Sequence, residues 1–133
     1  GYQRSLDLRS ATSEVSYEQG GVHYRRTLFV SAPDQVMVLQ LHADHAGALD
    51  FVATLGRSER ASVQPAGTDG LLMRGQLDSG GSGEGLKFAA RVQVIAPGAT
   101  IRADLAGVHV ENGTDVTVLV PLDPALLVPD TAP

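Results

Sequence analysis

The sequence predicts an all-β fold, an antiparallel β-sandwich with little or no helix, on three observations. Apolar residues recur with a period of two and not with the 3.6 of a helix. The alternating runs are short, and clusters of Gly, Pro, Asn and Asp separate them every eight to twelve residues or so, the rhythm of sandwiches and barrels. The chain is 133 residues long, enough for one sizeable core and too few for two comfortable domains.

The strands can be justified in order. "RSLDL" offers Leu6 and Leu8, and "EVSYEQ" offers Val15 and Tyr17. "QGG" at Gln19 to Gly21 supplies residues that adopt positive φ, so Val15 to Tyr17 and Val22 to Val30 read as a hairpin. "SAPD" then sets Pro33 before Asp34, whose side chain can bond its own backbone. In "QVMVLQLHA", Met37, Leu39, Leu41 and Ala43 share one face, while Val36 and Val38 give way to Gln40 and His42 on the other. That strand is expected to begin between two apolar layers and to end at a sheet edge.

After the turn "DHAG", "ALDFVATLG" turns Leu49, Phe51, Ala53 and Leu55 inward. "PAGTDG" reads as a further turn, and "LDSGGSGEG", Leu77 to Gly85, with four glycines and two serines, as a hairpin loop. "LKFAARVQVIA" turns Phe88, Ala90, Val92 and Val94 inward and is the longest regular strand. "APGA" precedes "TIRADL", where Ile101, Ala103 and Leu105 alternate with Arg102 and Asp104. "ENGTD" precedes "DVTVLVP", where Val116, Val118 and Val120 alternate with polar or outward residues. Residues 1–120 are therefore expected to form the sandwich, and Pro121 to Pro133, with four prolines, an exit linker.

Composition excludes several functions. Ten basic residues against fifteen acidic ones give a net charge of −5, with no basic run to neutralise phosphates, so nucleic acid is not an expected partner. Six aromatic residues, Tyr2, Tyr17, Tyr24, Phe29, Phe51 and Phe88, and no Trp leave little for stacking bases or sugars. The absence of Cys removes disulfides, zinc ribbons and thiol nucleophiles. No apolar run reaches the eighteen or so residues of a helical membrane span, so no membrane partner is expected.

No residue is assigned a catalytic, cofactor-binding or metal role, and no cofactor is expected. Glycoside hydrolysis commonly takes two carboxylates flanking a cleft, but the acids here sit in turns (Asp34, Asp44, Asp69, Asp78, Asp115, Asp123) or on polar strand phases (Glu18, Asp50, Asp104). Glu84 and Glu111 flank loops and read as solvated. His42 and His45 bracket Asp44, a combination of ordinary metal ligands. Positions three apart on a strand face opposite ways, so solvent-exposed histidines at a strand end are the better reading. His23 and His109 lie on polar phases. "GGSGE" lacks the second glycine and the helix of a nucleophile elbow. Arg25 and Arg26 point to opposite faces, and Arg26, in phase with Val22, Tyr24 and Leu28, is expected to find a buried partner or a domain interface.

An ordered pattern runs through the first 50 residues: Tyr2, Arg4, Leu6-Asp7-Leu8, Ala11, Tyr17, Gly21-Val22, Tyr24-Arg25-Arg26, Phe29, Ser31, Pro33-Asp34, Val36, Leu41 and Ala43. It continues in "LLMRGQL", "GLKFAARVQV" and "GVHVENGTDVTVLV". This pattern resembles the N-terminal β-sandwich domain of glycoside hydrolase family 95, the α-L-fucosidases. The resemblance implies part of a super-sandwich that packs against a helical (α/α)6 barrel, which carries the catalytic residues and is absent from this chain. It implies a non-catalytic accessory domain, inactive alone, whose parent acts by inverting hydrolysis of terminal α-L-fucose and meets fucosylated glycans. It suggests a secreted or periplasmic parent.

In such a sandwich Met37, Leu39, Leu41, Phe51, Phe88 and Val92 would interdigitate between sheets, and unpaired strand edges would invite self-association. Two alternatives stand beside this reading: an autonomous carbohydrate-binding module, with Tyr2, Tyr17 and Tyr24 as its platform, and a protein-interaction sandwich.

Overall fold

A computed structural model describes residues 1–122. They form eleven strands and no helix: β1 (Gln3–Asp7), β2 (Thr12–Gln19), β3 (Val22–Ser31), β4 (Val36–Ala43), β5 (Leu49–Ala53), β6 (Ala61–Ala66), β7 (Gly70–Asp78), β8 (Glu84–Ile95), β9 (Thr100–Asp104), β10 (Gly107–Gly113) and β11 (Asp115–Pro121). Eight strands make one sheet in the order β1-β2-β3-β4-β11-β8-β7-β6, and three make a second in the order β5-β10-β9. All pairs are antiparallel.

The alternation read from the sequence sets the faces. Val92 and Val94 of β8, Val116 and Val118 of β11, and Leu71 of β7 turn inward and meet Val108 and Val110 of β10. Leu39, Leu41, Leu49, Phe51 and Ile101 pack around this cluster. Leu71, Val94, Val108, Val110 and Val116 are completely enclosed, and each such side chain contributes about 1.5–3 kcal/mol relative to exposure. The core lies under the small sheet, over β4, β11, β8 and β7. At one side β9 approaches β6, which narrows the sandwich there.

The turns take the geometry their residues favour. Gly20 and Gly21 have φ of 61° and 78°, so a two-residue turn joins β2 to β3 and sets Tyr17 opposite Tyr24. Between β9 and β10, Gly107 has φ of 147°. A Cβ at Gly107 would stand 2.5 Å from the carbonyl oxygen of Ala53 and 2.7 Å from Cγ1 of Val52, so glycine is required where β10 begins to run beside β5.

Several expectations need correction. β4 does not end at an edge: it pairs with β3 from Val36 to Ala43 and with β11 from Val36 to His42. Its polar end, Gln40 and His42, reflects the outer face of a central strand. Three strands, β6, β7 and β10, lie where the alternation signalled none. Pro65 weakens the pattern of β6, but β6 is the outermost strand of its sheet, where a missing N–H is tolerated. β7 opens on the unbroken triple Leu71-Leu72-Met73, and β10 absorbs Glu111 to Gly113 of the expected "ENGTD" turn through a register shift between Val110 and Gly113. Leu105 lies in the β9–β10 turn and is exposed.

Phe88 and Met37 are not in the core cluster. Phe88 sits opposite Gly75, with the Arg57 guanidinium 5.0 Å from its ring centre. Pro121, the first residue of the expected linker, is the last of β11, opposite Val36, and the Leu122 N–H donates to the Gln35 carbonyl at 2.8 Å. Residues 123–133, the rest of that linker, and Asp123 among the acids lie outside the described residues.

Candidate functional site

The large sheet is much wider than the small one, and the mismatch creates a groove. β4 turns away through Asp44 to Ala48 into β5, and thereby leaves one sheet for the other. Asp44 pins that turn: its Oδ1 accepts the His23 N–H at 2.9 Å and lies 2.7 Å from His45 Nδ1. The contact with His45, and then the His23 N–H, hold the Asp44 carboxyl below its ordinary range. The Gly47 N–H donates to Thr114 Oγ1 at 2.8 Å.

β5 is thus placed as an edge strand, hydrogen-bonded to β10 alone. Between its free edge and the inner face of β2, β3 and β4 lies a groove of about 620 Å³. Leu39, Leu41 and Val118 line its floor, Leu49, Asp50 and Phe51 its small-sheet wall, and Tyr17, Tyr24 and Arg26 its far wall.

The far wall is built by the β2–β3 register. Tyr17 and Tyr24 are direct cross-strand partners, and their rings stack with centroids 5.2 Å apart and planes 22° from parallel. The Arg26 guanidinium lies 5.4 Å from the Tyr17 ring centre, and its Nη2 donates to the Tyr17 hydroxyl at 3.1 Å. Arg26 therefore has a partner, but it is the half-buried ring and hydroxyl of Tyr17 and not a fully buried group. The two tyrosines are half-buried groove residues, not core.

A second, smaller groove of about 180 Å³ lies on the outer face. Arg25, His42 and Asp115 stand in one row across β3, β4 and β11, with Thr27, Gln40 and Thr117 in the next. His42 Nδ1 lies 2.6 Å from Asp115 Oδ1. His42 and His45 thus serve different carboxylates, and the described residues hold no group of three or more His, Asp or Glu side chains placed to bind a metal.

The remaining residues weighed in the sequence are dispersed. Ser79 Oγ donates to the Gly81 carbonyl inside the β7–β8 loop, and Glu84 pairs loosely with Lys87 at 3.9 Å. Each groove holds one carboxylate, and each is engaged: Asp115 with His42, and Asp50, whose Oδ1 accepts the Asn112 N–H at 2.7 Å.

His109 was unremarked by its polar phase, yet its side chain is only 18% exposed, and its Nε2 lies 3.0 Å from Asp104 Oδ1. The same carboxylate accepts the Ala106 and Gly107 N–H groups and an Arg102 N–H. Its pKa falls to about 2, chiefly through His109 and then the Ala106 N–H. The signal for this knot was present: a tight turn after Asp104 brings residue 109 back beside it.

Residues 1–124 match the family described as glycosyl hydrolase family 65, N-terminal domain. The chain belongs to this family. A stretch of 50 residues is 44% identical to alpha-L-fucosidase 2 of Arabidopsis thaliana, covering 38% of this chain and 6% of that protein. The chain thus corresponds to a small part of that relative's length. The matched family is numbered 65, whereas the residue pattern resembles family 95. The two share one statement, that this is the N-terminal domain of a glycosyl hydrolase.

Proposed function

We propose that this domain is the accessory β domain of a family 95, α-L-fucosidase-like enzyme, and that it packs against a helical (α/α)6 barrel carrying the catalytic residues. The observation that carries the reading is the state of the carboxylates. Hydrolysis of a glycoside commonly uses two, one protonated and one ionised, facing each other across a cleft. Each groove here offers one, already committed to a histidine or to a backbone N–H. The fucosidase name of the Arabidopsis relative supports the substrate.

The test compares two proteins on an aryl α-L-fucoside. The parent enzyme is expected to release the phenol with inversion, and residues 1–133 alone to release none. Activity that stays with the isolated chain at constant specific activity through successive purification steps overturns the accessory role. A parent inert on fucosides and active on another glycoside overturns the substrate and leaves the accessory role standing.

A second reading, a carbohydrate-binding module, is favoured by one feature, the Tyr17–Tyr24–Arg26 wall of the larger groove. Aromatic faces and a guanidinium are what sugar rings and hydroxyls use. Here the two rings are stacked on each other and the guanidinium sits over Tyr17, so much of that surface is already occupied. Amide-shift titration with L-fucose and a fucosylated oligosaccharide separates the readings: shifts confined to residues 17–26 and 49–53 support the module, and an unchanged spectrum removes it.

A further inference from the structure

The smaller groove, on the outer face of the large sheet, has no task in the accessory role. Strand register builds it from two rows of side chains. Arg25, His42 and Asp115 stand side by side across β3, β4 and β11, and Thr27, Gln40 and Thr117 follow two positions along. All six line a depression of about 180 Å³, on the face turned away from the core and from the larger groove. The next row, Phe29, Val38 and Leu119, is apolar, so the polar side chains are gathered at one end of these three strands.

Most of the hydrogen-bonding capacity of this groove is unengaged. His42 Nδ1 lies 2.6 Å from Asp115 Oδ1, which leaves His42 Nε2 and Asp115 Oδ2 open to a ligand. The side chains of Arg25, Thr27, Gln40 and Thr117 bond to no other described residue. The His42 and Asp115 side chains are 40% and 73% exposed, so a solute reaches them. Glu14 of β2 lies opposite Thr27, outside the lining.

The charges are ordered along the first row. A permanent cation stands at one end and a carboxylate at the other, two strand spacings apart, about 10 Å at 4.8 Å per strand. Arg25 calls for a carboxylate, which its planar fork holds through two parallel N–H···O bonds. Asp115 repels a second negative charge and accepts hydroxyl hydrogens instead, and the Gln40 amide and the two threonine hydroxyls exchange bonds with further hydroxyls. A phosphate dianion would meet one cation and have Asp115 against it. A neutral sugar would leave Arg25 unmatched, and no aromatic ring lines the groove to stack on it. The volume falls below the roughly 300–1,000 Å³ of sites for larger ligands, which leaves room for one ring.

We infer that the outer groove binds a sugar acid: one pyranose ring with its carboxylate on Arg25 and its hydroxyls on Asp115 and the row of Thr27, Gln40 and Thr117. Such a site goes beyond the accessory role and depends on neither the barrel nor the parent's substrate. The experiment uses the full-length parent and saturation-transfer NMR, which detects a small, weakly held ligand on a large protein. The probes are D-glucuronate, D-glucose and acetate, with inorganic phosphate as a competitor. D-Glucuronate is expected to bind at least about tenfold more tightly than D-glucose or acetate, and Arg25→Gln to lower its affinity at least about tenfold. Arg25→Lys keeps the charge without the fork and should fall between. Asp115→Asn should narrow the preference for D-glucuronate over acetate. Lys87→Gln removes one positive charge outside the groove and should change nothing.

The quantity read is the Arg25-dependent part of the signal, so a sugar held elsewhere in the parent does not count. Unchanged thermal midpoints show that the variants remain folded. Equal D-glucuronate affinity in the parent and in Arg25→Gln overturns the site. Acetate bound as tightly as D-glucuronate, or phosphate displacing it at lower concentration than D-glucuronate itself requires, overturns the sugar acid as its ligand. A loss in Lys87→Gln as large as in Arg25→Gln reduces the binding to general charge and overturns it too. None of these results depends on whether the parent hydrolyses fucosides, so the two readings fail separately.

Discussion

Two halves of the large sheet turn rows of apolar residues to the same face and meet different fates. In β4, β11, β8 and β7 the inward residues lie beneath the small sheet, and Val94, Val116 and Leu71 are sealed. In β1, β2 and β3 the inward residues continue the same rows, yet Leu6 and Val30 stand more than half exposed. Alternation therefore encodes which side of a strand seeks cover; the cover itself comes from the topology. The small sheet spans three strands against eight, and the stability of the domain is concentrated where the two overlap.

The largest expected effect probes the covered half. Leu71 is 1% exposed and joins β7 to the Val92–Val108–Val116 cluster. Leu71→Ala removes buried methyl groups and leaves a cavity beneath the small sheet, at a cost of about 2–5 kcal/mol. Urea unfolding is expected to show a lower midpoint with an unchanged slope. Next comes the hinge of the small sheet. Gly107→Ala forces a Cβ against the Ala53 carbonyl and Val52 in a backbone conformation that side chains rarely adopt. A cost of about 1–3 kcal/mol is expected, together with faster amide exchange in β5 and β10 than in β8 and β11.

An acid titration sharpens the comparison within the covered half. Asp104 caps the β9–β10 hairpin, and its pKa is depressed from 3.8 to about 2 by His109 and the Ala106 N–H. A depressed folded-state value means that the stabilisation is fully present above the unfolded pKa near 4 and is lost as pH falls toward 2. Asp104→Asn is therefore expected to lower the thermal midpoint at neutral pH and to flatten its decline between pH 4 and about 2. Asp44 and Asp7 are depressed as well, the first mainly by His45 and the second mainly by the Arg9 N–H, so a residual acid slope remains in the variant.

Much of the fold was legible because its central strands alternate cleanly. Met37, Leu39 and Leu41, then Val116, Val118 and Val120, announce their faces with no help from tertiary context. β6, β7 and β10 were hidden for local reasons: Pro65 in an edge strand, the unbroken Leu71-Leu72-Met73, and glycines at both ends of β10. The groove was less legible than any strand. It depends on the chain crossing from β4 in one sheet to β5 in the other, a long-range choice that no window of sequence records. Its far wall could have been read: Gly20-Gly21 as a two-residue turn places Tyr17 opposite Tyr24, with Arg26 two residues further along the same face. Arg26 was traced to the correct face; a buried partner or a domain interface was expected for it, and within the described residues its guanidinium lies on the half-buried Tyr17 ring.

The smallest expected effect is the most discriminating. Leu6→Ser and Val30→Ser alter apolar residues of the same phase as the core, yet both side chains are already more than half in water. In the isolated chain each is expected to change stability by no more than about 0.5 kcal/mol, and the double variant by the sum, since the two changes share no buried contact. If either substitution instead costs more than about 1 kcal/mol in urea unfolding of the isolated chain, β1–β3 already has cover in solution. The bare half would then differ from the covered half in what covers it.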